Sequence, residues 1–220
     1  MWNLSIADFF ITMQKFILGT KQYMTQVFDD AGVAHPATVL SAGPVTITQL
    51  KNSERDGYDA IQVGYEEQSK KHVPKAKLGH LKNLTLLRHL REFRITNAEK
   101  DAYKRGGTID VSVFVPGDTV EVSAISKGKG FQGVVKRHGF HGGPRTHGQK
   151  HSEREPGSIG GAGRAGGRVA KGMRMAGRMG GERVTVKNLK VLQVDPEHNR
   201  IILRGAIPGR RGTLVEIQVK

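Results

Sequence analysis

The chain has 220 residues, with 35 Lys or Arg against 20 Asp or Glu, a net charge of +15 at pH 7. That length buries one sizeable core, or one core and a small appendage. A basic balance of this size points to a polyanionic partner, nucleic acid ahead of an anionic membrane, and the absence of cysteine excludes disulfides and thiolate metal sites.

Residues 1–14 open with MWNLSIADFFITM, which is apolar but short, holds Asp8, and lacks both a basic leader and a small-residue cleavage site. It reads as an N-terminal extension, neither a signal peptide nor a membrane span. Residues 15–65 read as β, the first part of a barrel. KFILGTKQYMTQVF (15–28) gives two short apolar runs around Gly19-Thr20, and a turn follows at 29–32. PATVLSAGPVTITQL (36–50) is β-branched and broken by Gly43-Pro44, and YDAIQVGY (58–65) is a further strand.

At Glu66 the character changes. Residues 66–107 read as a basic helical insert: Pro74 is placed to open a helix, and Leu78, Leu81, Leu84, Leu87 and Leu90 recur every third residue. The helix is expected to end near Arg91 and pass into a strand at 93–96. Its cations, Lys70, Lys71, Lys75, Lys77, Lys82, Arg88 and Arg91, form either a solvated face or a second RNA-facing patch. Residues 108–115 and 119–126 then alternate as two strands about the turn Pro116-Gly117-Asp118.

Residues 127–183 are of another kind. Counted from Ser126, this stretch holds 17 of the chain's 29 glycines and thirteen Lys or Arg against three Glu, a net +10. Apolar residues are sparse and without period, so the segment is not expected to bury a core of its own. Strand signals return at 184–194, 200–204 and 213–219, separated by a turn at 195–199 and a loop at 205–212. Both ends of the basic stretch are therefore anchored. Many short strands with frequent turns favour a closed β-barrel. The basic stretch is then a long extended Gly/Arg-rich loop threaded into folded nucleic acid.

Glycine allows close backbone approach, and Lys and Arg neutralise phosphate. The candidate RNA-binding residues are therefore Lys127, Lys129, Lys136, Arg137, Arg145, Lys150, Arg154, Arg164, Arg168, Lys171, Arg174 and Arg178. His138, His147 and His151 join them as stacking or phosphate-bonding groups. Gly128, Gly130, Gly133, Gly157 and Gly160 are candidate close-approach glycines. An irregular arm suits crevices of folded RNA better than a duplex groove.

Gly128-Lys129-Gly130-Phe131-Gln132-Gly133 matches a dinucleotide fingerprint. The following VVKRHGFHGG is broken by glycine where that fold needs a helix. The histidines sit among Lys136, Arg137, Arg145 and Lys150, which would repel a metal cation. No nucleophile–base pattern appears. No cofactor, metal or small-molecule substrate is expected. A phosphate-binding enzyme using the glycine-rich segment as its cradle and a general nucleic-acid chaperone are the alternatives.

Several runs, in order, resemble one family: Ser126-Lys-Gly-Lys-Gly-Phe-Gln-Gly133, Lys136-Arg-His-Gly-Phe140, Thr146-His-Gly148, Pro156-Gly-Ser-Ile-Gly160, Met175-Ala-Gly-Arg-Met-Gly180 and Glu182-Arg-Val-Thr185. With the opening segment 19–28, they are similar to the universal ribosomal large-subunit protein L three family, bacterial type, over about residues 15–220. The resemblance implies a mainly β fold: a six-stranded closed barrel, a small helical insert and a long loop reaching toward the peptidyl-transferase centre. It implies a structural, non-enzymatic role in the ribosome of the cytoplasm. It also implies binding to large-subunit (23S-type) rRNA near its 3′ end, with a part in nucleating assembly. Implied neighbours are proteins of the L fourteen and L nineteen families. Residues before about Met13 have no counterpart in the family's pattern, and Tyr23 stands where the opening segment usually has glycine. Some relatives carry a modified glutamine after Pro-Gly-Ser-Ile-Gly. Residues 160–167 here read GGAGRAGG, so that modification does not carry over.

Overall fold

A computed structural model describes residues 14–95, 102–161 and 166–219. Over these residues the chain is mainly β, as its turn-punctuated runs lead one to expect. Its strands are β1 (Phe16–Phe28), β2 (Ala34–Ala42), β3 (Val45–Lys51), β4 (Ala60–Glu67), β5 (Leu87–Arg94) and β6 (Thr108–Ile109). They continue with β7 (Thr119–Ile125), β8 (Gly130–Gln132), β9 (Gly177–Met179), β10 (Arg183–Asp195), β11 (Arg200–Arg204) and β12 (Leu214–Val219). Helix is confined to short pieces: α1 (Ser53–Asp56), α2 (Lys75–His80), α3 (Val134–His138) and two 3-10 turns.

The chain forms two compact units. One runs to Ile125 and resumes at Arg183; the other spans Ser126–Glu182. In the first, strands pair antiparallel in the order β1-β12-β7-β10-β11-β2 and close on themselves as a barrel. Strands whose outer face meets solvent alternate: Val120, Val122 and Ala124 on β7, Ile201 and Leu203 on β11, and Val215 and Ile217 on β12 are buried. β1 departs from alternation at its start, where Phe16, Ile17 and Leu18 are all buried. The Phe16 ring stacks on Phe93 of β5, with centroids 4.5 Å apart. β5 belongs to a second sheet, ordered β5-β4-β3-β6, and both sheets share one apolar core.

The buried threonine hydroxyls are matched, whereas Ser126 Oγ is buried without a hydrogen-bond partner among the described residues. The Thr38 hydroxyl donates to the Gly205 carbonyl at 2.6 Å, and Thr48 Oγ1 donates to Gln62 Oε1 at 2.8 Å. At Gly19 a Cβ would lie 2.6 Å from the Ser41 carbonyl oxygen, so the approach of β1 to β2 requires glycine there.

The structure corrects several expectations. Residues 16–28 form one 13-residue strand, with a register shift between Lys21 and Met24 in place of a break at Gly19. The strands about Gly43-Pro44 are present, but β3 and β4 lie in the second sheet and not in the barrel. The expected helix through Leu90 ends at His80, and Leu87 and Leu90 lie on β5. The reason is geometric. A spacing of three turns roughly 60° short of a full helical rotation each time, so five leucines sweep about 240° and define no single face. Asn83, at φ 65°, stands in the left-handed region between helix and strand. Residues 108–115 are not one strand: two residues of β6 precede a 3-10 turn at Val111–Val113. Thr96, the last residue of the expected 93–96 strand, lies outside the described residues.

Candidate nucleic-acid interface

The second unit carries the basic stretch, and it is folded on itself. Its neck is an antiparallel ribbon of β8 and β9, in the register Gly130↔Met179, Phe131↔Arg178 and Gln132↔Gly177. The ribbon is extended by Ser126 N–H donating to the Glu182 carbonyl at 2.8 Å and Lys129 N–H donating to the Met179 carbonyl at 2.9 Å. A one-turn helix, α3, follows β8 where the glycines were expected to exclude any helix. Gly139 ends it at φ 73°, donating back to the Val134 and Val135 carbonyls. Five residues give no dinucleotide-type helix, so the fingerprint reading gains nothing from it.

Val134, on α3, is 1% exposed, so the arm has a small buried point that its composition did not announce. The Arg137 guanidinium donates to the Met175 carbonyl at 2.8 Å, and His138 Nε2 lies 3.0 Å from the same oxygen. These two side chains tie the outgoing strand of the arm to the returning one. Further out, Gly143 N–H donates to the Glu153 carbonyl at 2.9 Å. A Cβ at Gly142 would lie 2.0 Å from that carbonyl oxygen, at φ 78°, so this crossing requires glycine.

The remaining candidates divide cleanly. Lys127, Lys129, Lys136, Arg145, His147, Lys150, His151, Arg154, Arg168, Lys171, Arg174 and Arg178 are exposed. Of these, Arg145 makes an ion pair, 3.5 Å from Glu153. Arg164 lies outside the described residues. Gly128, Gly130, Gly133, Gly157 and Gly160 have open space where a Cβ would stand. Packing therefore makes no demand for glycine there, although Gly130, Gly157 and Gly160 stand at φ 68°, 76° and 81°, where the backbone itself favours glycine. Phe131 is 76% exposed, whereas Phe140 is half-buried beside His138 and under Arg174.

On the insert, Lys70, Lys71, Lys75 and Lys82 are exposed. Lys77 Nζ donates to the Arg88 carbonyl at 2.8 Å, and burial lowers its pKa. Arg88 pairs with Glu66 at 3.1 Å, and Arg91 with Glu216 at 2.8 Å. Three of the seven cations of that patch are thus engaged within the fold. Sequence reasoning passed over Gln149 and Glu155, which line a cavity in the arm with His138, Phe140 and Arg174. Their signal was an acid in an otherwise basic stretch.

Comparison with known proteins follows the same lines. The family described as ribosomal protein L3 matches residues 93–201. Large ribosomal subunit protein uL3 of Synechococcus sp. (strain JA-3-3Ab) is 50% identical over 204 residues, covering 91% of this chain and 94% of that protein. The corresponding protein of Carboxydothermus hydrogenoformans is 48% identical over 208 residues, covering 94% and 97%. Large ribosomal subunit protein uL3c of Guillardia theta is 47% identical over 204 residues, covering 92% and 98%. With a barrel whose strands β7 and β10 bracket a folded basic arm, and with near-full-length identity of about half, this chain belongs to the ribosomal protein L3 family of the large ribosomal subunit, a family of structural proteins and not of enzymes.

Proposed function

We propose that the chain is a structural constituent of the large ribosomal subunit that binds 23S-type rRNA near its 3′ end, helps nucleate assembly, and extends residues 127–183 toward the peptidyl-transferase centre. The observation that carries this reading is the arm. It is a separate compact unit whose cations, with few exceptions, face outward without a carboxylate partner among the described residues. Side chains such as Lys129, Lys136, Lys150, Arg154, Arg168, Lys171 and Arg178 are placed to neutralise phosphate. Arg137 and His138 hold the arm's shape instead. Open space at Gly128, Gly130, Gly133, Gly157 and Gly160 suits close approach of an RNA backbone. Residues 15–65 and 108–126, with 184–220, form the body that presents the arm, and residues 66–107 are a basic insert on it. Neighbouring proteins of the L fourteen and L nineteen families are the expected protein contacts.

Co-sedimentation tests this. The tagged chain, expressed in cells, is expected to travel with the large subunit at one copy per particle and to persist through a wash at moderate salt. Sub-stoichiometric or salt-labile association would instead identify a general nucleic-acid chaperone.

A further inference from the structure

Within the arm lies a cavity of about 560 Å³, within the ordinary range for a small-ligand site. Its lining is neither uniformly basic nor apolar. The Phe140 ring has the Arg174 guanidinium 5.8 Å from its centroid and the His138 ring 5.9 Å away, tilted by 45°. His138 is held in place through the Met175 carbonyl. These flat groups form a stacking platform, the arrangement that receives an unstacked base in single-stranded RNA. Opposite chemistry comes from Gln149, whose amide donates to Ser152 Oγ at 2.6 Å, and from Glu155.

Glu155 is the informative residue. The neighbouring Glu153 is paired with Arg145, but Glu155 makes no ion pair with the described residues. An unpaired carboxylate in a segment of net +10 repels phosphate, so this cavity is a poor seat for the RNA backbone. It is a good seat for a group that offers donors and no charge. Among the bases, guanine alone presents two adjacent donors, N1–H and N2–H, that match the two oxygens of a carboxylate. Adenine and cytosine offer one amine beside an acceptor, and uracil one imino group between carbonyls.

We infer that this cavity captures an unpaired guanine of the bound RNA, stacked against the platform of His138, Phe140 and Arg174 and read on its Watson–Crick edge by Glu155. The inference rests on the reading of the arm as RNA-binding, and adds that one base is read by identity. Arg174 then acts in stacking as well as through its charge.

Kethoxal, which modifies guanine at N1 and N2, reports on the atoms concerned. Large subunits are assembled with wild-type protein or with Glu155→Gln, which keeps shape and removes the charge. At least one guanine is expected to be protected with wild type and to become at least fivefold more reactive with the variant, while both proteins sediment equally with the particle. Unchanged kethoxal patterns in equally loaded particles would overturn the guanine site and leave the ribosomal reading intact. Failure of wild type to load would overturn both.

A second measurement avoids assembly. Full-length wild-type protein at low salt is expected to bind UUUGUUU roughly tenfold more tightly than the same heptamer with inosine, which lacks the N2 amine. Glu155→Gln is expected to abolish that preference while binding UUUUUUU no more weakly than wild type does. Equal affinity of wild type for the guanine and inosine heptamers would overturn the proposal.

Discussion

At Glu92 three donors converge on one carboxylate: Lys51 Nζ at 2.9 Å, the Tyr58 hydroxyl at 2.8 Å and Gln62 Nε2 at 3.1 Å. Burial pushes this carboxyl up, but the hydrogen bonds from Lys51, Tyr58 and Gln62 outweigh it and hold the group below its ordinary 4.5. Lys51 is displaced in the complementary sense, raised by its bonds to Tyr58 and Glu92. A carboxylate whose folded pKa is depressed stabilises the fold above its unfolded pKa. That stabilisation is lost as pH falls through the folded value. Glu92→Gln is therefore expected to lower the melting temperature at pH 7. The gap between variant and wild type should begin to narrow as pH falls below the ordinary carboxylate range, about 4.3, where the unfolded chain takes up the proton, and should close only as the folded group itself is protonated at lower pH. Thermal melts at intervals between pH 7 and pH 3 check this. A gap that stayed constant would show the cluster acting through packing and not through charge. The cluster joins β3, β4 and β5, so it fastens the second sheet and not the barrel.

Among the elements, the arm is a compact unit of its own. Its neck leaves from Ile125 and returns at Arg183, which face each other across β7 and β10, so the two chain ends are already side by side. Replacing residues 129–179 by two glycines is expected to leave a cooperatively folding body, with a melting temperature within a few degrees of wild type. The arm contributes Val134 as its one fully buried apolar side chain among the described residues, and the apolar core lies entirely in the other unit. A variant lacking cooperative unfolding by calorimetry would place stability in the arm after all.

The same elements show what was legible in the sequence. β7, β11 and β12 were readable because one face meets the core and one meets water, so burial imposes a period of two. β5 was misread because Leu87 and Leu90 continued a leucine spacing begun in α2, and local spacing carries no sign of the long-range pairing with β4 that decides the matter. Phe16 stacking on Phe93 is equally invisible, since 77 residues separate partners that meet only through the second sheet. In the candidate site, the exposed cations were legible as charge. The engagement of Arg137 with Met175, 38 residues away, was not, because it depends on the register of the neck.

On the scale of the whole molecule, charge and stability are held by different parts. Removing residues 129–179 takes eleven cations and two acids, lowering the net charge from +15 to +6. Each neutralised phosphate releases counterions and contributes about 0.7 to 0.9 to the slope of log affinity against log salt. If the arm supplies most contacts, roughly six phosphates bound by the full chain would cost about 10³-fold in affinity for an rRNA fragment between 50 and 200 mM salt. The body alone, touching about two phosphates, would lose only about tenfold over the same range. Equilibrium binding of both proteins to one fragment across that salt series separates the contributions. Parallel slopes would move the phosphate contacts to the body, where Lys70, Lys71, Lys75 and Lys82 are among the exposed cations. A flat curve for the full chain would show that phosphate neutralisation does not drive binding at all. The diverging slopes expected here follow from concentrating net charge on a unit that adds almost nothing to the core. Such an arm can be shaped to its RNA with little cost to the fold that presents it.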